Sequence, residues 1–325
     1  MGPADPDGAL AGGRSARGEP LSGAGTLRRP DAPRAACLAL GPWAIRCFLS
    51  CAWPRRAVAL ALSLSTIGNS GRAGAEPARE LRVARGPETV YTLSATALWL
   101  GIELSRPVWA PADCRWCNPP SIDADVRAAL KADEPLGANI ASYGTALLSP
   151  VVALGGLWIA GARHGGGTFG TDALIVGETA ATTMLLTNLF KGAFGRERPY
   201  AHALSPDEKR TQDKTSDNNL SFFSGHASFA FAMATASGTV AELRGYELSP
   251  YIWGFGLTLA AATGYLRIAA DRHYFTDVVT GAVVGGAIGV GMPLLLHGRT
   301  GGERQVTLSP LPLPGLRGLA ISGVF

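Results

Sequence analysis

Charge is what this chain has little of. Charged residues make up 17% of the 325, against about a quarter in a typical soluble protein. The formal net charge is only +4. Much of the basic excess sits in the first third, at Arg14, Arg17, Arg28, Arg29, Arg34, Arg46, Arg55 and Arg56. Basic side chains interleaved with aromatics on one folded face, as a nucleic-acid surface needs, are missing. Nucleic acid is therefore excluded as a partner. Cysteine is scarce too, with five in all. Cys37, Cys47 and Cys51 precede the main apolar block, and Cys114 and Cys117 form C-R-W-C. No second C-x-x-C or nearby His pair completes a metal set, and no strand–helix–strand pattern supports a redox motif. A short-loop disulfide between Cys114 and Cys117 in an oxidising compartment is the leading reading. No carboxylate cluster suits Mg²⁺ or Zn²⁺, so neither a metal nor another cofactor is expected. No internal repeat is evident.

Apolar sequence is abundant, at 47% of the chain. Longer apolar segments cover residues 140–162, 172–190, 227–240, 250–270 and 278–296, with a shorter one at 91–104. Several approach the roughly 20 residues that cross a bilayer. Their Gly, Ala, Ser and Thr content suits close helix packing, and Gly281, Gly285, Gly286 and Gly289 fall at small-xxx-small spacing. The expected fold is all-α: a bundle of about five or six apolar helices, transmembrane, with a short β-like tail at the C-terminus. Asp172 and Glu178 interrupt the second long segment. Either they face a polar interior, or the bundle is soluble with buried Ala-rich helices.

The expected division of the chain has four parts. Residues 1–56 are a disordered or misassigned extension, poor in large apolar residues up to about position 35. Residues 57–75 look like a signal or anchor: an apolar run after Arg55-Arg56, closing on Ala73-Gly74-Ala75. Residues 76–300 form the helical domain. Residues 301–325 are the tail, where Pro/Gly punctuation and the run from Leu319 suggest a strand or hairpin. Within the polar connection 105–138, Ser121 to Asp125 give a short helix a capping start. Residues 200–220 carry many charges and read as a solvated loop that can cover a pocket.

Three stretches carry chemistry, each at the edge of an apolar segment. The first reads K-G-A-F-G-R-E-R-P from Lys191 to Pro199. Its cations suit either a snorkelling helix end or a phosphate clamp, in which Arg offers a planar fork and Lys a point charge. The second reads S-F-F-S-G-H-A-S from Ser221 to Ser228. Ser224, Gly225 and His226 would stand at a helix N-terminus, where free N–H groups favour an anion. The third reads R-I-A-A-D-R-H-Y-F-T-D from Arg267 to Asp277. If it is helical from His273 onward, Asp277 shares a face with His273 at i,i+4 and can fix its tautomer.

Lys191-x6-Arg198-Pro199, then Ser224-Gly225-His226, then Arg267-x5-His273-x3-Asp277 occur in this order. The pattern resembles the type 2 phosphatidic acid phosphatase superfamily, which includes bacterial acid phosphatases and vanadium haloperoxidases. The resemblance covers about residues 174–296. Two positions depart from it: Phe223 stands where the family has Pro, and Leu266 where it has Ser. Neither change removes a charged or titrating group.

The resemblance implies a mechanism. Lys191, Arg198 and Arg267 bind phosphoryl oxygens, with Ser224 and the Gly225 N–H as further donors. His273 attacks phosphorus, Asp277 orients it, and His226 protonates the leaving oxygen and then activates water. Arg196, Asp271 and Arg272 lie outside the pattern and are expected behind the site or on the surface. The implied substrate is a phosphomonoester or pyrophosphate, most simply of a lipid, hydrolysed without metal. Span counting puts the motifs on the outer side of a bacterial-type inner membrane. The rivals are a secreted soluble acid phosphatase, vanadate-dependent halide oxidation and a non-catalytic membrane protein of the same fold.

Overall fold

The computed structural model describes residues 77–211 and 215–300, and the backbone of two strands in the tail. The expectations for residues 1–56 and 57–75 lie outside the described residues. Seven helices of ten residues or more organise the rest: α1 Arg85–Leu104, α2 Ser121–Leu130, α3 Pro135–Arg163, α4 Phe169–Phe194, α5 Gly225–Arg244, α6 Ser249–Ala269 and α7 Phe275–Leu296. The five long apolar segments are α3 to α7. In the tail, β1 (Gln305–Pro310) pairs antiparallel with β2 (Leu319–Val324), as the hairpin expectation had it. α2 starts at Ser121, but no side chain caps it. The capping pattern read there is not used, and Asp123 is buried for another purpose.

The bundle buries many polar groups beside an apolar core that includes Leu157, Ile175 and Val240, and it exposes large apolar side chains. Asp172 is buried and accepts hydrogen bonds from Arg244 Nε (2.8 Å) and the Tyr246 hydroxyl (3.0 Å). Glu178 is buried 3.3 Å from His297 Nε2. The two acids thus face a polar interior, the first of the two alternatives. Thr179, Thr183 and Thr187 line the same interior face of α4, each hydroxyl donating to the carbonyl four residues earlier. Large apolar side chains point outward instead, among them Leu147 at 73% exposure and Phe255 at 69%. Among the described residues three helices, α3, α4 and α7, are long and apolar enough to cross a membrane.

Close approach of α5 and α7 positions the second and third motifs. A Cβ on Gly281 would meet the Ser224 carbonyl oxygen at 2.7 Å, and Gly285 and Gly289 face Ser228 and Thr235 as tightly. The small-residue spacing is the contact seam itself. Gly285→Val would push a branched side chain into backbone. We expect a loss of about 1–3 kcal/mol or more, read as a lowered midpoint of thermal unfolding in detergent. Gly291→Val, where a Cβ meets nothing within 4 Å, should unfold near the wild-type midpoint.

Candidate active site

The three motifs converge at one end of the bundle. α4 delivers Lys191 in its last turn and stops at Gly195, whose φ of 51° ends the helix in the left-handed region. The chain then runs extended through Arg198 into the short turn Pro199–His202. α5 begins at Gly225 with Ser224 as its cap, the Ser224 hydroxyl accepting from Ala227 N. α6 ends just beyond Arg267, and His273 stands in the connection before α7.

Between them lies a cavity of about 300 Å³. Lys191, Arg198, Gly225, His226, Arg267 and His273 all line it, together with Arg106, Arg272, Glu103 and Asp217. Five cationic side chains against two carboxylates make this a site for an anion. Space at Gly225 is tight: a Cβ there would come 3.3 Å from Lys191 Nζ. Ser224 does not line the cavity. Its hydroxyl oxygen accepts the capping hydrogen bond from Ala227 N, which leaves the hydroxyl proton to donate.

His273 is buried, with Nδ1 2.9 Å from the Ser221 carbonyl oxygen. A carbonyl only accepts, so Nδ1 carries the proton and Nε2 keeps its lone pair. Nε2 faces Arg198 Nη1 at 3.2 Å. Burial, then the neighbouring Arg198, Arg267 and Lys191, hold the imidazole well below its usual pKa. It is therefore neutral at physiological pH, with a lone pair on Nε2.

Asp277 does not hold His273 in the way its spacing suggests. His273 precedes α7, so the i,i+4 rule does not apply, and its Nδ1 is 3.7 Å from Asp277 Oδ2. Asp277 instead accepts from the Ser221 hydroxyl (2.6 Å), Tyr274 N (2.9 Å) and Arg196 (2.5 Å). Ser221 thus joins the two residues, its carbonyl on the histidine and its hydroxyl on the aspartate. The negative charge remains close enough to favour a cationic imidazole.

Arg196 is 1% exposed, so the surface alternative for it is overturned. Its guanidinium bridges Asp277 and the buried Asp123 of α2, and lies 3.9 Å from the centre of the Trp116 ring. Asp123 also accepts from Thr276 N and Oγ1. Asp271 pairs with Arg127, tying α2 to the third motif from the other side.

Asp217 belongs to the site, not to a solvated loop. It lies 2.8 Å from Arg198 Nη2 and 3.2 Å from Arg106 Nη1. Burial acts to raise its pKa, but Arg198, Lys191 and Arg106 outweigh it and hold the carboxyl below its usual range. Arg267 receives its orientation from Asn139 Oδ1 (3.1 Å) and Ser142 Oγ (3.0 Å) of α3. Phe223 is fully buried with its ring 5.5 Å from that of Phe190, so the position that departs from the family pattern is filled by aromatic packing. Cys114 and Cys117 are joined as a disulfide in the connection before α2.

Residues 172–300 match the family model of the PAP2 superfamily. This match agrees with the resemblance read from the three motifs. Over 104 residues the chain is 36% identical to a lipid A 1-phosphatase of Porphyromonas gingivalis, a stretch covering 32% of this chain and 19% of that protein. Over 129 residues it is 26% identical to phospholipid phosphatase 2 of Bos taurus, covering 34% of this chain and 45% of that protein. The chain thus matches less than half the length of either relative. A transmembrane PAP2 type phosphatidylglycerolphosphate phosphatase from Bacillus subtilis aligns with a TM-score of 0.40 and 18% identity, over 62% of this chain and 94% of that one.

Proposed function

We propose that this protein is a membrane-embedded phosphatase that hydrolyses a lipid phosphate through a phosphohistidine on His273, without a metal at the reacting centre. The observation that carries the reading is the neutral His273, its Nε2 held at the floor of a cationic pocket by the Ser221 carbonyl. In the first step Nε2 attacks phosphorus, a P–N bond forms and the P–O bond to the leaving group breaks. The leaving oxygen takes a proton through His226; burial and the neighbouring Arg267, Lys191 and Arg198 lower the pKa of this imidazole to about 2, so the proton it passes on enters with the substrate as the phosphate monoanion. Nδ1 keeps its proton throughout, so the phosphorylated ring is cationic and Asp277 offsets that charge. In the second step water gives a proton to His226 and attacks phosphorus, the P–N bond breaks, and neutral His273 returns with release of phosphate. Lys191, Arg198 and Arg267 stabilise the charge spread over the equatorial oxygens.

The lipid assignment rests on the cavity walls and the outer surface. Trp99, Leu147, Met184 and Phe229 line the same cavity as the cations, giving an apolar side for an alkyl chain. The apolar exterior of α3 and α6 suits a bilayer. The Cys114–Cys117 disulfide supports a position for this end of the bundle outside the cytoplasm. The substrate is tested by phosphate release from matched lipid and water-soluble phosphomonoesters, with EDTA present. Preference for the lipid in mixed micelles supports the reading. Faster turnover of the soluble ester would favour a soluble-type acid phosphatase instead.

A further inference from the structure

At the far end of the bundle, three residues that the phosphatase chemistry does not use come together. Glu88 is in the first turn of α1, Glu178 in the middle of α4, and His297 follows the last residue of α7. One donor atom from each lies within 4.8 Å of the other two. Sequence reading finds no metal cluster here because the three residues are scattered along the chain.

The hydrogen bonding sets the chemistry. His297 Nδ1 lies 3.0 Å from the Arg82 carbonyl oxygen and donates to it. Nε2 then presents a lone pair to Glu178 Oε1, 3.3 Å away. Two electron-rich atoms at that distance repel unless a cation or a proton lies between them. A proton on Nε2 would settle that one contact. It would leave Glu178 Oε2 and Glu88 Oε2, both buried atoms without a hydrogen-bond partner among the described residues. Glu88 Oε1 is already engaged by Ala84 N at 2.8 Å, which fixes the carboxylate in place. Glu178 is buried within the bundle, where an uncompensated carboxylate oxygen is costly. An imidazole nitrogen and two carboxylates form the donor set, with His297 and Glu88 each oriented by a backbone group.

We infer that Glu88, Glu178 and His297 bind a divalent transition-metal cation, with Zn²⁺ the best match for one imidazole and two carboxylates. The cation ties the start of α1 and the end of α7 to the middle of α4. It takes no part in hydrolysis: Glu178 stands 13 residues before Lys191 on the same helix, roughly 20 Å along the axis.

The test uses the full chain purified in detergent and stripped with a chelator. Zn²⁺ is titrated by calorimetry, and thermal unfolding is followed with and without it. Glu178→Gln removes one ligand charge. Glu88→Gln does the same at a partly exposed helix start, where folding is least at risk. The expected result is one more equivalent of Zn²⁺ bound by wild type than by either variant, and a raised unfolding midpoint with Zn²⁺ in wild type only. Comparison with the variants separates this site from any binding by the cysteines near the N-terminus. Equal stoichiometry in all three proteins, or no effect of Zn²⁺ on the wild-type midpoint, would overturn the proposal and leave a protonated His297–Glu178 pair in its place.

Discussion

His273→Ala should lower phosphate release by about 10⁴-fold or more, because the nucleophile acts as one unit with the groups around it. The unfolding midpoint should move far less, since the hydrogen bonds of the ring among the described residues are those with Ser221 and Arg198. His273→Gln is the more demanding control, keeping a donor to the Ser221 carbonyl while removing the nucleophile. The pH profile carries a second consequence. With the folded-state pKa of His273 held well below its usual value, protonation of the nucleophile does not set the acid limb near pH 6.5. Activity that depends on His273 should persist through mildly acidic pH. By linkage the same group costs stability as pH falls below its unfolded value of about 6.5, since the unfolded chain then binds the proton that the folded site excludes. An acid limb centred near 6.5 that disappears in a chemically rescued His273→Ala protein would contradict this.

Arg196→Met is expected to be the most damaging change outside the cavity. It leaves Asp123 and Asp277 buried and facing one another's charge with no cation between them. Breaking a buried pair from one side costs about 3–5 kcal/mol. The loss should appear as a large drop in the unfolding midpoint. In protein that still folds at low temperature, kcat should fall with KM nearly unchanged. Arg196 does not line the cavity; it holds Asp277, and through Ser221 the His273 ring, in position. Arg196→Lys keeps one charge but cannot fork to two carboxylates, and should recover only part of both losses. A normal midpoint in Arg196→Met would show that the bridge is not what holds the third motif.

The three motifs were legible in the sequence because each is local and sits where an apolar run ends. Helix positions were legible for the same reason, and the glycine seam of α7 could be read from its four-residue spacing. What could not be read was the network behind the cavity. Arg196 lies two residues before Arg198, yet it points the other way, into Asp123 from a segment 73 residues earlier. Nothing in the spacing marks Asp123, because its partner is set by how α2 packs under the third motif. Asp217 was hidden inside a run of charges that looks solvated; only its position opposite Arg198 and Arg106 distinguishes it. The spacing of His273 and Asp277 suggested a direct hydrogen bond, but the helix starts two residues after His273, and a backbone carbonyl takes the role instead.

The central claim is that phosphate passes through a covalent bond to His273. The most direct measurement is mass spectrometry of the protein quenched in alkali during turnover of p-nitrophenyl phosphate, whose leaving group needs no proton, with His226→Ala used to slow the second step. The account predicts a single added phosphoryl group on a peptide containing His273, absent when His273→Ala is combined with it. Turnover with no phosphorylated peptide in the slowed protein, or a phosphoryl group on any other residue, would contradict it.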